Sequence, residues 1–176
     1  EGDLASDATG NTVYIVGNGY HKGIVAETKT KFKEATVNFL VVDGTAKIGY
    51  NAFAGCKSLE SIVVPESVIL IEEGAFKDCS SLKSIVIPES VTEFGYGAFM
   101  DCTGLESIVI PDSVEKIGVS AFSYCTSLEN IKIPGSVSDI AEYLFEYCDG
   151  LKSVELENGV KNICGYAFFM CKNLYI

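Results

Sequence analysis

The chain has 176 residues, with 13 Lys and Arg against 24 Asp and Glu, a formal net charge of −11. That acidity disfavours nucleic-acid binding and docking on anionic membranes, which need a basic footprint, and no apolar run approaches the roughly 20 residues of a spanning helix. Hydrophobic residues are 48% and charged residues 21%, so the chain is long and apolar enough to bury a core.

The N-terminus, Glu1 to Asp7, is polar and acidic. Val13-Tyr14-Ile15-Val16 followed by Gly17-Asn18-Gly19 reads as a strand and a tight turn, with Ile24-Val25 as its partner strand. Residues 1–35 are therefore expected to form an irregular β-hairpin cap. From residue 36 a repeat takes over. Phe stands at 53, 76, 99, 122, 145 and 168, Cys at 56, 79, 102, 125, 148 and 171, and Leu at 59, 82, 105, 128, 151 and 174, always in steps of 23. Pro65, Pro88, Pro111 and Pro134 fall in one further column. One irregular unit, with Phe39 and Val41 in its strand columns, precedes five regular ones.

The unit starting at Leu82 shows what each turn should do. Ile85 and Ile87 alternate with Val86, which predicts a short strand with two residues facing in. Pro88 ends it, because proline brings no N–H to the next ladder bond. Val91 and Phe94 bring the chain back inward, and Gly95 permits a turn. Ala98-Phe99-x-x-Cys102 has the spacing of one tight helical or 3-10 turn. Stacked copies give a parallel strand ladder with about 4.8 Å between rungs and continuous Phe, Cys, Leu and Ile columns in a one-dimensional core. A 23-residue period falls in the leucine-rich-repeat range, so the fold class expected is a right-handed leucine-rich-repeat solenoid over residues 36–176.

The unit L-x-x-I-x-I-P-x-S-V-x-x-I-G-x-x-A-F-x-x-C resembles the BspA-like leucine-rich-repeat family over about Thr36 to Ile176. The resemblance implies a cell-surface or secreted protein of bacterial or protist type and a role in adhesion to host matrix proteins or other cells. The match is looser at the end. Leu144 replaces Ala beside Phe145, Glu157 stands where proline stood, and Gly159 where serine stood. The chain stops at Leu174-Tyr175-Ile176 with no capping segment visible, so self-association through an open C-terminal rung is expected.

Chemistry-bearing residues are few. Six cysteines share one column, each three residues from Phe and Leu core positions, and are read as buried reduced thiols, although rung spacing tolerates a disulfide. Cys164 lies off that column and is read as exposed. A linear ladder does not converge four ligands on zinc. His21 is the one histidine, a loop residue of the expected cap, and no nucleophile motif or phosphate-binding loop accompanies it. Glu66, Glu89 and Asp112 form an acidic column, read as a solvated face. No catalytic residue, cofactor or metal is assigned.

Two surfaces are the candidates for partner binding. The outward strand column reads Val63, Val86, Val109, Lys132, Glu155, with Ser84 and Ser107 beside it. The second is aromatic: Tyr96, Tyr124, Tyr143, Tyr147 and Tyr166, joined by Met100, Phe169 and Met170, with Tyr124 and Tyr147 stacked in one column. Exposed aromatics suit protein interfaces and also stack on sugars. The reading is a non-enzymatic extracellular interaction protein, an adhesin or its binding segment. A spacer within a longer surface array and a glycan-binding module stay open as alternatives.

Overall fold

A computed structural model of the chain describes residues 3–6, 12–16, 37–41 and 47–175. The strands are β1 (Asp3–Ser6), β2 (Thr12–Val16), β3 (Val37–Val41), β4 (Lys47–Ile48), β5 (Leu59–Val63), β6 (Leu70–Ile71), β7 (Ser84–Val86), β8 (Glu93–Phe94), β9 (Ser107–Ile108), β10 (Lys116–Ile117), β11 (Asn130–Ile133), β12 (Asp139–Ile140), β13 (Ser153–Leu156) and β14 (Asn162–Ile163). Complete rungs start at Leu59, Leu82, Leu105, Leu128 and Leu151 and are called rungs one to five. Each contributes one strand to a first ladder and a two-residue strand to a second.

The ladders are parallel and their register is the sequence period itself: Ile62 lies against Ile85 and Ile85 against Ile108. The first ladder extends to β2, which pairs parallel with β3 and antiparallel with β1. The antiparallel partner of β2 is thus Asp3–Ser6, a polar segment without the alternation that marks a strand. Ile24-Val25, the expected partner, and His21 lie outside the described residues. Both ladders break between rungs three and four, leaving β11–β13 and β12–β14 as separate pairs. The turns hold the rungs together across that break: Ser120, Phe122 and Tyr124 donate their N–H groups to Glu142, Leu144 and Glu146 carbonyls at 3.1, 3.0 and 2.8 Å.

The expected helical turn at Ala98-Phe99-x-x-Cys102 is not formed; no helix occurs among the described residues. Alternate N–H groups point to different rungs there. Ala98, Met100 and Cys102 bond back to Gly95, Gly97 and Phe99, while Gly97, Phe99 and Asp101 bond to Val119, Ala121 and Ser123 of the next rung. A helix would need every N–H for itself. Two positions per turn also take positive φ, which interrupts any right-handed helix. One column is Asn51, Gly74, Gly97, Ser120, Tyr143 and Tyr166, and the other is Gly55, Asp78, Asp101, Tyr124, Tyr147 and Met170.

The core is columnar. Phe53, Phe76, Phe99, Phe122, Phe145 and Phe168 stack with successive centroids 5.2, 5.3, 5.4, 5.7 and 5.5 Å apart. Phe94 meets Phe99 edge-on at 5.5 Å. The cysteine column has a second reason to exist besides small size. Each thiol donates to the phenylalanine carbonyl of the rung before: Cys79 to Phe53 at 3.1 Å, Cys102 to Phe76 at 3.1 Å, Cys125 to Phe99 at 3.2 Å, Cys148 to Phe122 at 3.0 Å and Cys171 to Phe145 at 3.0 Å. The serines after the prolines do the same work on the other side, Ser90, Ser113 and Ser136 donating to Val68, Val91 and Val114 at 2.7, 2.8 and 2.7 Å.

Candidate functional site

The strand alternation that buries Ile62, Ile85 and Ile108 turns Val63, Val86 and Val109 outward. They are 55, 71 and 78% exposed, one above another, with Ser84 and Ser107 exposed beside them. The backbone register continues from Val63 to Leu40 and from Leu40 to Tyr14. The three exposed valines, at about 4.8 Å per rung, make a stripe about 10 Å long. It ends where the ladder breaks. Lys132 takes the next place, pairs with Glu157 at 2.5 Å and reaches Glu155 at 3.8 Å. Glu157, in the proline column, also accepts the Gly135 N–H at 3.1 Å. The Lys132 hydrogen bond and this N–H hold the Glu157 carboxyl below its ordinary range, and Glu157 raises the Lys132 ammonium.

The tyrosines divide. Tyr124 stacks on Tyr147 at 4.9 Å and Tyr143 on Tyr166 at 5.3 Å, both pairs nearly parallel. Phe169 joins the two stacks, at 5.8 Å and 88° to Tyr147 and 5.7 Å and 87° to Tyr166. These rings make one exposed or half-buried corner over rungs three to five. Tyr96 stands apart, lining a shallow depression with Tyr50, Leu70, Glu72, Glu73, Glu93 and Gly95. Partial desolvation, then Glu146, Tyr147 and Asp101, push the Tyr124 phenol above its ordinary value.

All four corner tyrosines occupy the positive-φ columns, at φ of 62, 56, 56 and 59° for Tyr124, Tyr143, Tyr147 and Tyr166. Earlier rungs fill those columns mainly with Gly, Asn and Asp, which adopt this conformation readily. A bulky residue there costs about 1–2 kcal/mol, whereas one aromatic stack contributes about 0.5–1.5 kcal/mol. Stacking therefore offsets only part of the strain in each pair. The clue was readable in the Gly, Asn and Asp of the first rungs, but the side-chain period alone does not report the sign of φ.

The seven cysteines are free thiols; Cys56 to Cys148 of the column are buried, while Cys171 and Cys164 are half-buried. Cys164 is thus less open than expected. No group of three or more His, Cys, Asp or Glu among the described residues is placed to hold a metal ion. No helix among them is long and apolar enough to cross a membrane.

Residues 46–175 match the BspA-type leucine-rich-repeat region in six copies. No match was found among curated proteins. Among solved structures, the leucine-rich-repeat protein of T. pallidum is 30% identical, with a TM-score of 0.78 over 98% of this chain and 77% of that one. A leucine-rich-repeat protein of Bacteroides ovatus is 27% identical, with a TM-score of 0.80 over 99% of this chain and 50% of its own. A leucine-rich cell surface protein of Faecalibacterium prausnitzii is 28% identical, with a TM-score of 0.69 over 96% of this chain and 44% of its own. This chain therefore spans half or less of the length of two of these three relatives. The repeat copies, the two ladders and the inward phenylalanine column agree: the chain belongs to the BspA-type leucine-rich-repeat family.

Proposed function

We propose that the chain is a non-enzymatic, extracellular protein-interaction module, a cell-surface adhesin or its binding segment, that engages a partner protein on the first-ladder face. The observation that carries this reading is the row of outward valines at Val63, Val86 and Val109, an apolar stripe on a rigid and regular sheet. A cell-surface relative supports the extracellular setting. Capture of matrix or cell-surface proteins by the immobilised chain tests it. A saturable partner that is lost with Val86→Asp is expected; no saturable partner overturns it.

A spacer within a longer surface array is the second reading. It is supported by two relatives of which this chain spans half or less. Self-association on the edge of rung five would instead be visible as a doubled mass in light scattering. Glycan binding at the tyrosines has less support, the two stacked pairs being its one structural basis.

A further inference from the structure

The tyrosine corner combines three features. It is aromatic, it is held at a conformational cost that stacking does not explain, and its carboxylates are unmatched. The 23-residue register places Glu146 one rung below Phe169, the ring that touches both stacks. Glu146 is flanked in its own rung by Tyr143 and Tyr147, and its charge acts on the Tyr124 phenol. Glu142 stands exposed next to Tyr143. Neither glutamate has a lysine partner, whereas Glu72, Glu93, Glu129 and Asp149 each have one at 2.6–2.8 Å. Beside Tyr96, Glu72 and Glu93 are in this sense already answered and Glu73 is not, whereas in the corner neither glutamate is.

An aromatic wall with an unanswered carboxylate attracts a cation. A ring quadrupole favours positive charge over its face, and the carboxylate supplies the counter-charge. A calcium ion would need six or more oxygen ligands, and no such cluster is present among the described residues. A planar guanidinium suits the corner better than a compact ammonium. It can lie on an aromatic face while donating two parallel hydrogen bonds to one carboxylate.

We propose that the corner formed by Tyr143, Glu146, Tyr147, Tyr166 and Phe169 binds an arginine side chain presented by a basic segment of a partner protein. This deepens the reading of the chain as a protein-interaction module and rests on it. The site lies apart from the valine stripe, so one partner could engage both only by wrapping round the solenoid edge.

The test is fluorescence anisotropy of a labelled peptide alternating glycine and arginine, titrated with the whole chain at low salt. Saturable binding is expected, weakened about five- to tenfold by Glu146→Gln and by Tyr166→Asn. Asparagine stands at φ of 52° at position 51 of the same column, so Tyr166→Asn keeps a residue suited to the backbone; an unchanged circular dichroism spectrum checks it. Glu89→Gln removes the same charge two rungs away and should leave binding within twofold. Equal weakening by Glu89→Gln and Glu146→Gln would reduce the effect to net charge and overturn the site. Binding that survives both corner variants would overturn it too, and equal affinity for the matching lysine peptide would overturn the arginine assignment. Absent peptide binding, with a captured partner still lost on Val86→Asp, overturns the corner and leaves the sheet-face reading standing. Saturable arginine binding with no captured partner does the reverse.

Discussion

Rungs two to four and rung five carry the same pattern and differ in what lies on either side of them. In rung four Ile133, Ile140, Phe145, Cys148 and Leu151 of the following turn are fully buried. In rung five the same columns hold Leu156, Ile163, Phe168, Cys171 and Leu174, all exposed or half-buried. The residues are equivalent; the neighbour is not. A rung's sequence decides which side chains face inward, and the adjacent rung does the burying, as expected of a solid built by stacking. The sheet face and the tyrosine corner sit on that stack.

The largest expected effect is on alkaline stability. Burial pushes the Cys102 thiol from an ordinary value near 9 up to about 12, and the Cys171 thiol to about 11. Burial raises Cys125 and Cys148 as well. The folded chain keeps protons that an unfolded chain releases above pH 9. Stability is therefore fully present below about pH 9 and falls as pH rises towards the folded values, by up to about 1.4 kcal/mol per pH unit for each sealed thiol and by less for the half-buried Cys171. Urea midpoints measured from neutral to alkaline pH should drop steeply in that window; a flat profile would mean the thiols are not sealed.

Phe99→Ala empties the middle of the ring stack and should cost about 3–5 kcal/mol, whereas Phe168→Ala, half-buried, should cost less than half as much. Equal losses in urea denaturation would break the contrast between sealed and open rungs. Gly118 and Gly165 contrast two columns of the turn rather than two rungs: a Cβ on Gly118 would lie 2.5 Å from the Gly95 carbonyl carbon, while a Cβ on Gly165 meets nothing within 4 Å. We expect about 1–3 kcal/mol lost at Gly118 and a change within about 0.5 kcal/mol at Gly165, read as melting temperatures. The smallest effect is at the surface. Lys116 and Glu93 pair at 2.6 Å but are 68 and 38% exposed, so Lys116→Ala should change stability by less than about 1 kcal/mol and rung order should not matter.

Much of this was legible in the sequence. The Phe, Cys and Leu columns are a direct record of which side chains point inward, and alternation at Ile85, Val86 and Ile87 marks the valine face. Three things were not legible, each for its own reason. The turn at Ala98 to Cys102 has helical spacing, yet its alternate N–H groups bond to the next rung, and only the stacked structure shows that competition. The ladder break between rungs three and four falls where Asn130, Lys132 and Gly135 replace the serine, valine and carboxylate of their columns, changes that do not by themselves mark a break. Tyr143 and Tyr166 conceal the positive φ that Gly74 and Gly97 advertise in the same column. The corner's chemistry depends on that concealed backbone and on Phe169, whose contacts with both stacks cross rungs.

The chain carries its own probe of the central claim, one cysteine per rung in a single column. Timed thiol modification of the native protein, read by mass spectrometry at each site, would rank the rungs by opening. Cys171 and Cys164, half-buried, should react first, and Cys79, Cys102, Cys125 and Cys148 should stay protected until the chain unfolds as a whole. Modification of Cys102 or Cys125 as fast as Cys171 would contradict the picture of rungs sealed by their neighbours.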